Sequence, residues 1–156
     1  METDGCPTEL AVPGPVVGLD LGDVRIGVAA TDARRTVATP RTILRRSGDQ
    51  RKDDAAIAEI VSALGATLVI VGLPLSLDGS KGPAARRVSA EADRLATSLG
   101  VPVVLADERL STIEAARRRA ELGKARRRRS APIRRPVDAE AAAVILQSFI
   151  DTEPRR

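Results

Sequence analysis

The chain of 156 residues contains no histidine, tryptophan or tyrosine, one phenylalanine (Phe149) and one cysteine (Cys6). Without histidine there is no Ser-His-Asp triad, no Cys-His pair and no imidazole-ligated metal. Without tyrosine there is no phenolic nucleophile, and with a single aromatic ring there is no platform for stacking bases. One cysteine excludes an intrachain disulfide framework and a cysteine-rich metal site. There is no run of about 18 apolar residues, so no membrane span is expected. The first residues, Met1-Glu2-Thr3-Asp4-Gly5-Cys6-Pro7, lack the basic start and apolar core of a secretory signal. A cytoplasmic protein is therefore expected. If it is an enzyme, its chemistry falls to carboxylates, Lys/Arg and hydroxyls, and carboxylates with water suit Mg²⁺ or Mn²⁺.

Charge is unevenly distributed. Residues 117–135 hold ten Lys/Arg against Glu121 alone, a local +9, and since the whole chain is +4, the remainder sums to −5. A basic stretch on an otherwise acidic chain fits a polyanion partner, most simply nucleic acid. A solvated loop is the alternative reading of the same residues.

Residues 1–14, with Gly5, Pro7, Pro13 and Gly14, show no periodicity and are expected to be a disordered lead to a single domain over 15–151. Val16 to Leu19 is a short apolar run ending at Asp20, and Gly22-Asp23 supplies a turn, with Gly22 expected to take a positive φ. Val24 to Thr31 is a second strand. Val37 to Leu44 is a third, placed at an edge by Pro40. A helix beginning near Asp49 carries Ile57, Ile60, Val61 and Leu64 on one stripe, and Gly65 closes it.

Thr67 to Gly72 reads as a central parallel strand, followed by the loop Leu73–Gly82. The helix opened by Pro83 presents Val88, Ala92, Leu95 and Leu99 and ends at Gly100. Val101 to Leu105 is the last strand, stopping at Ala106-Asp107-Glu108-Arg109. Ser111-Thr112-Ile113-Glu114 has capping-box spacing and opens a helix to about Leu122. A final helix over Val137–Ile150 is expected to face inward through Val137, Ala141, Val144, Ile145, Ser148 and Phe149.

This order predicts an α/β fold, a mixed five-stranded sheet with helices on both faces. Ligands in such sheets bind beyond the carboxyl ends of the strands. Asp20, the 73–82 loop, Asp107-Glu108-Arg109 and Asp138 are all expected at that rim. Taken singly, Asp20 could cap a turn, Asp107 and Glu108 could be loop residues, and Asp138 an N-cap. Several carboxylates at one edge repel one another unless a cation lies between them.

Four stretches together resemble the YqgF (RuvX) family, RuvC-like nucleases of the RNase H fold. They are Gly18-Leu19-Asp20-Leu21-Gly22 with Arg25-Ile26-Gly27-Val28-Ala29; Gly72-Leu73-Pro74-Leu75 with Asp78-Gly79 and Gly82-Pro83; Asp107-Glu108-Arg109-Leu110 with Ser111-Thr112; and Asp138 leading Ala141 to Gln147. The resemblance spans about residues 15–151. It implies an RNase H-like domain and a metal-dependent nuclease acting on structured nucleic acid, with pre-16S rRNA end processing in ribosome biogenesis as its role. Cleavage of four-way DNA (Holliday) junctions is the alternative substrate, and a non-catalytic RNA-binding module of the same fold the alternative class. A phosphotransferase of the actin-like ATPase type also shares the Asp20-x-Gly22 pattern, but needs two such lobes.

The resemblance further implies that Asp20, Asp107 or Glu108, and Asp138 are the catalytic acids. The metal set favoured is Asp20, Asp107 and Asp138, binding Mg²⁺ or Mn²⁺. Arg25, Ser76, Ser80, Lys81 and Arg109 are expected to hold phosphates, and Arg126, Arg127, Arg128 and Arg129 to grip the nucleic-acid backbone. A homodimer is a further expected assembly. RuvC has another acid one turn along its last helix, where this chain has Ala141 and Ala142.

Overall fold

A computed structural model describes residues 12–76, 78–107 and 137–152. The sheet has five strands in the order β3-β2-β1-β4-β5. These are β1 Val16–Leu21, β2 Arg25–Thr31, β3 Ala38–Arg45, β4 Leu68–Leu73 and β5 Val103–Asp107. β1 runs antiparallel to β2 and parallel to β4, and β4 parallel to β5, so the three apolar strands lie side by side and point the same way. β3 is the edge next to β2, and Pro40 sits where the register slips between Val28 and Ala29. A residue without an N–H is tolerated there because a bulged edge position needs no ladder donor. β5 starts two residues later than the apolar run suggests, after Gly100 has ended the preceding helix in a left-handed conformation.

Each face of the sheet has its own core. On one face Val17, Leu19, Leu21, Ile26, Val28, Val69 and Val71 pack beneath α1 (Gln50–Ala63) and α2 (Pro83–Leu99). Those helices deliver Ile57, Val61, Ala85, Val88, Ala92 and Leu95, matching the stripes read from sequence. Asp49 caps α1 by accepting from the Arg51 N–H at 3.0 Å. On the other face Val16, Ala29, Leu68 and Ile70 pack against the last described helix, α3 (Val137–Thr152).

The inward side of α3 differs from expectation. Ala139, Ala142, Ile145, Leu146 and Ile150 are buried, whereas Ala141, Val144 and Ser148 are only half-buried. The cause is on the sheet. A Cβ at Gly18 would lie 2.8 Å from Leu146 Cβ and 3.0 Å from the Ala142 carbonyl oxygen, and one at Gly72 would lie 2.5 Å from Ile145 Cδ1. Two glycines on adjacent parallel strands make a trough, and the helix settles into it on its smallest and best-fitting side. The helix expected over residues 111–122 lies outside the described residues.

Candidate nucleic-acid and metal site

Asp20 is the fifth residue of β1 and is half-buried. Its place follows from the strand's period of two. Val17, Leu19 and Leu21 belong to the core under α1 and α2, so Val16, Gly18 and Asp20 belong to the face that α3 covers. The turn after it is tight. Gly22 N–H donates to the Arg25 carbonyl at 3.0 Å, and a Cβ on Gly22 would stand 2.7 Å from that same oxygen. Glycine is required here by the close approach of a carbonyl and not by a positive φ, since Gly22 is absent from the left-handed glycines.

α3 brings a second expected residue toward the same rim. Gln147 Oε1 accepts from the Ala38 N–H at 2.9 Å, at the level of Thr31, whose hydroxyl accepts from Val16 N–H at the start of β1. The helix therefore runs from the carboxyl rim down to the amino end of β1. Its second residue, Asp138, begins one turn, about 6 Å, before the Ala142 carbonyl that touches Gly18. Asp20 lies about 7 Å beyond Gly18 toward that rim. The backbone thus starts Asp138 and ends Asp20 at the same end of the sheet, while the Asp138 side chain lies outside the described atoms.

Asp107 has a different setting. It is the last residue of β5 and pairs with Leu73, as Leu105 pairs with Val71. Leu73, Val71 and Leu105 all belong to the core under α1 and α2, and Ala106 to the other. The pleat therefore assigns Asp107 to the face opposite Asp20. Glu108, Arg109 and Arg126 to Arg129 lie outside the described residues. Among the described residues no group of three acidic side chains gathers in metal-binding geometry.

Of the expected phosphate contacts, Arg25 is exposed at the first position of β2. Ser76 and Ser80 belong to a closed loop, in which the Ser76 N–H donates to the Ser80 carbonyl at 3.0 Å. Asp78 Oδ1 accepts from the Ser80 N–H and hydroxyl at 2.9 and 2.7 Å. Lys81 follows, exposed, just before the Pro83 start of α2.

A profile of the RuvX family, described as Holliday junction resolvase, matches residues 14–152. The chain belongs to the RuvX family. A protein of Anaeromyxobacter dehalogenans (strain 2CP-1), named "Putative pre-16S rRNA nuclease", is 48% identical over 136 residues, covering 86% of this chain and 95% of the relative. One of the same name from Thermoanaerobacter pseudethanolicus is 34% identical over 90% of this chain and 99% of its own length. Among solved structures, T. thermophilus RuvC in complex with a Holliday junction substrate superposes with a TM-score of 0.57 at 19% identity, over 88% of this chain and 93% of that one. That likeness establishes the RNase H-like fold.

The RuvX chain also carries an ion-pair system that the sequence did not announce. Arg46, just past β3, grips Glu91 of α2 with both terminal nitrogens, at 2.8 and 3.0 Å, and donates from Nε to the Gly22 carbonyl at 2.7 Å. Arg94 binds Asp54 at 3.0 Å and approaches Glu91 at 3.8 Å. The guanidinium of Arg46 is held above its ordinary pKa, chiefly by the hydrogen bond to Glu91, and that of Arg94 by the one to Asp54. Asp53 is buried and accepts from the Ser47 N–H and hydroxyl. Arg46, Asp53, Glu91 and Arg94 line a cavity of about 670 Å³ that reaches Asp20 and Gly72 at the sheet end. Residues of α1 and α2 line it, and its paired charges tie β3 and the β1–β2 turn to α2. Arg46 and Glu91 are 45 residues apart in the chain and Asp54 and Arg94 are 40, and only the isolated acid in the apolar stripe of α2 could have hinted at Glu91.

In this RuvX chain no described helix is long and apolar enough to cross a membrane.

Proposed function

We propose that this chain is a divalent-metal-dependent nuclease that hydrolyses phosphodiester bonds of structured RNA, acting in the cytoplasm on the end of pre-16S rRNA. One observation carries the reading. A half-buried carboxylate stands one residue before the end of the central strand β1 on the face covered by α3, whose first turn, with Asp138, begins at the same rim. The chain has no histidine to ligate a metal or act as a base, so oxygen donors must do both. Membership of RuvX and the names of its relatives support the substrate.

The donor set fits Mg²⁺ or Mn²⁺, hard ions that take carboxylate and water oxygens. Asp20 and Asp138 would hold them. Of the adjacent pair we take Glu108 as the further acid, because Asp107 shares the face of Leu73 and not that of Asp20. Bound divalent ions supply an activated water and a counter-charge for the leaving oxygen. Arg25, Arg109, Lys81 and the Ser76–Ser80 loop orient the phosphates, and Arg126 to Arg129 add backbone affinity.

Single-turnover assays with Mn²⁺, on precursor-extended 16S RNA and on a four-way DNA junction, test the reading. We expect cleavage of the RNA, abolished by Asp20→Asn and Glu108→Gln and retained by Asp107→Asn. Cleavage that survives Asp20→Asn overturns the assignment. Cutting confined to the junction moves the substrate to DNA, and binding without cutting leaves a recognition module.

A further inference from the structure

We propose that Arg25 and Arg45 form a phosphate subsite that takes a backbone phosphate of the bound nucleic acid flanking the one attacked. The proposal rests on the nuclease reading and adds to it a built anchor on the sheet itself.

The two arginines are directly opposite one another in the antiparallel β2–β3 ladder. Side chains so placed have Cβ atoms about 4.5–5.5 Å apart, and like charges there destabilise a sheet. Both residues are exposed. Among the described residues neither makes an ion pair, whereas Arg46, Arg87 and Arg94 all do. Two cations held side by side with no acid paired to them among the described residues fit a ligand that brings the negative charge, and a phosphodiester suits a pair of guanidinium forks.

The pleat fixes which face they share. Ile26 is buried in the core beneath α1 and α2, and Leu44 packs against that core. Their neighbours Arg25 and Arg45 therefore belong to the other face, with Gly27 and its partner Asp20. Arg25 lies two residues beyond Gly27, about 7 Å along the strand and one strand over from β1, so its Cα is about 8 Å from that of Asp20 and the Cα of Arg45 about 12 Å. A single nucleic-acid strand crossing the end of β1 toward the β3 edge meets Asp20, Arg25 and Arg45 in turn.

The backbone beneath the pair is braced. The Arg46 N–H donates to the Val24 carbonyl at 2.9 Å, extending the ladder past Arg45, and the Arg46 side chain ties that point to Gly22 and Glu91. A site on a held strand end keeps its spacing when the ligand arrives.

The test uses the full chain carrying Asp20→Asn, so that binding is read without cleavage. Fluorescence anisotropy with a labelled stem-loop RNA in Mg²⁺, over a salt series, is measured for Arg25→Gln, Arg45→Gln and the double variant. The double change is expected to lower the slope of log Kd against log salt by about 0.7–0.9, the share of the one phosphate the pair holds, and each single change by less. Relief of the opposed charges is expected to raise Tm by about 1–3 °C in the single variants. Weaker binding in a more stable protein is the signature of a ligand site, since a structural pair would lose stability. An unchanged slope in the double variant, or a fall in Tm, overturns the subsite while leaving the nuclease reading intact. If the unsubstituted chain neither binds nor cuts RNA or junction DNA, the nuclease reading itself fails and takes the subsite with it.

Discussion

The Arg46–Glu91 pair offers a direct measure of what holds the β3 end, the β1–β2 turn and α2 together. Its side chains are 20% and 12% exposed, and its two bonds are parallel, the geometry in which a charged pair is strongest. Arg46→Ala leaves Glu91 nearly buried with only Arg94, 3.8 Å away, as counter-charge. Removing one partner of a buried pair costs about 3–5 kcal/mol. The residual charge of Arg94 puts the expected loss at the lower end, about 3 kcal/mol, including the bond to the Gly22 carbonyl. Glu91→Ala should cost less, about 2 kcal/mol, because the Arg46 head can turn to water through its exposed fifth. The double variant has no orphaned charge, so a double-mutant cycle should return a coupling of about 1.5–2.5 kcal/mol. With no tryptophan or tyrosine to report, urea unfolding must be followed by circular dichroism at the helix band. Additive single effects, with coupling below about 0.5 kcal/mol, would refute the claim that this pair is a brace.

The glycine trough makes an ordered prediction: Gly18→Ala should lower stability by about 2–3 kcal/mol in the same unfolding assay, because its Cβ meets the Leu146 Cβ and a carbonyl, neither of which can swing away. Gly72→Ala meets the tip of Ile145 and should cost less, with partial rescue by Ile145→Val; the reverse order would show that α3 shifts freely on the sheet. Asp32 accepts from the Thr36 hydroxyl and from the Thr36 and Val37 N–H groups, which lower its pKa from the ordinary 3.8 to about 2. A depressed carboxyl stabilises the fold above its unfolded pKa, so this contribution should be complete above about pH 4 and vanish as pH falls through about 2. Carbon-13 titration of the Asp32 carboxyl should show that midpoint in the native chain, and Thr36→Val should move it upward.

Much of the architecture is legible because it depends on local rules. Three β-branched runs bounded by turn residues give the parallel centre of the sheet, and Pro40 marks the edge because its missing donor would break an interior ladder. Asp49, Pro83 and Gly100 set helix ends for reasons contained in a few neighbouring residues. What escaped depends on contacts between distant segments. The inner side of α3 is decided by Gly18 and Gly72, more than 70 residues upstream, and a helix with so many alanines carries no stripe strong enough to announce its own orientation. Gly22 reads as a turn glycine, but its reason is the carbonyl of Arg25 folding back on it. Nothing near Arg46 or Glu91 indicates that they meet.

The same distinction applies to the site. That Asp20 follows the apolar run of a central strand is a local fact, whereas which acid shares its face depends on strand parity, and parity needs the register. The family resemblance offered Asp107 or Glu108, with Asp107 in the favoured set; the register pairs Asp107 with Leu73, a residue of the core under α1 and α2. The sheet therefore separates two kinds of charge. Toward α1 and α2, Glu91, Asp54 and Asp53 are each matched by an arginine or a capped amide, and they stabilise. Toward α3 the described surface is small and apolar beneath the helix, and at its rim it presents Asp20 with the opposed Arg25 and Arg45. Charges spent on stability pair within the chain. A pair of like charges directly opposite one another costs stability, and in the proposed subsite a bound phosphate would offset that cost.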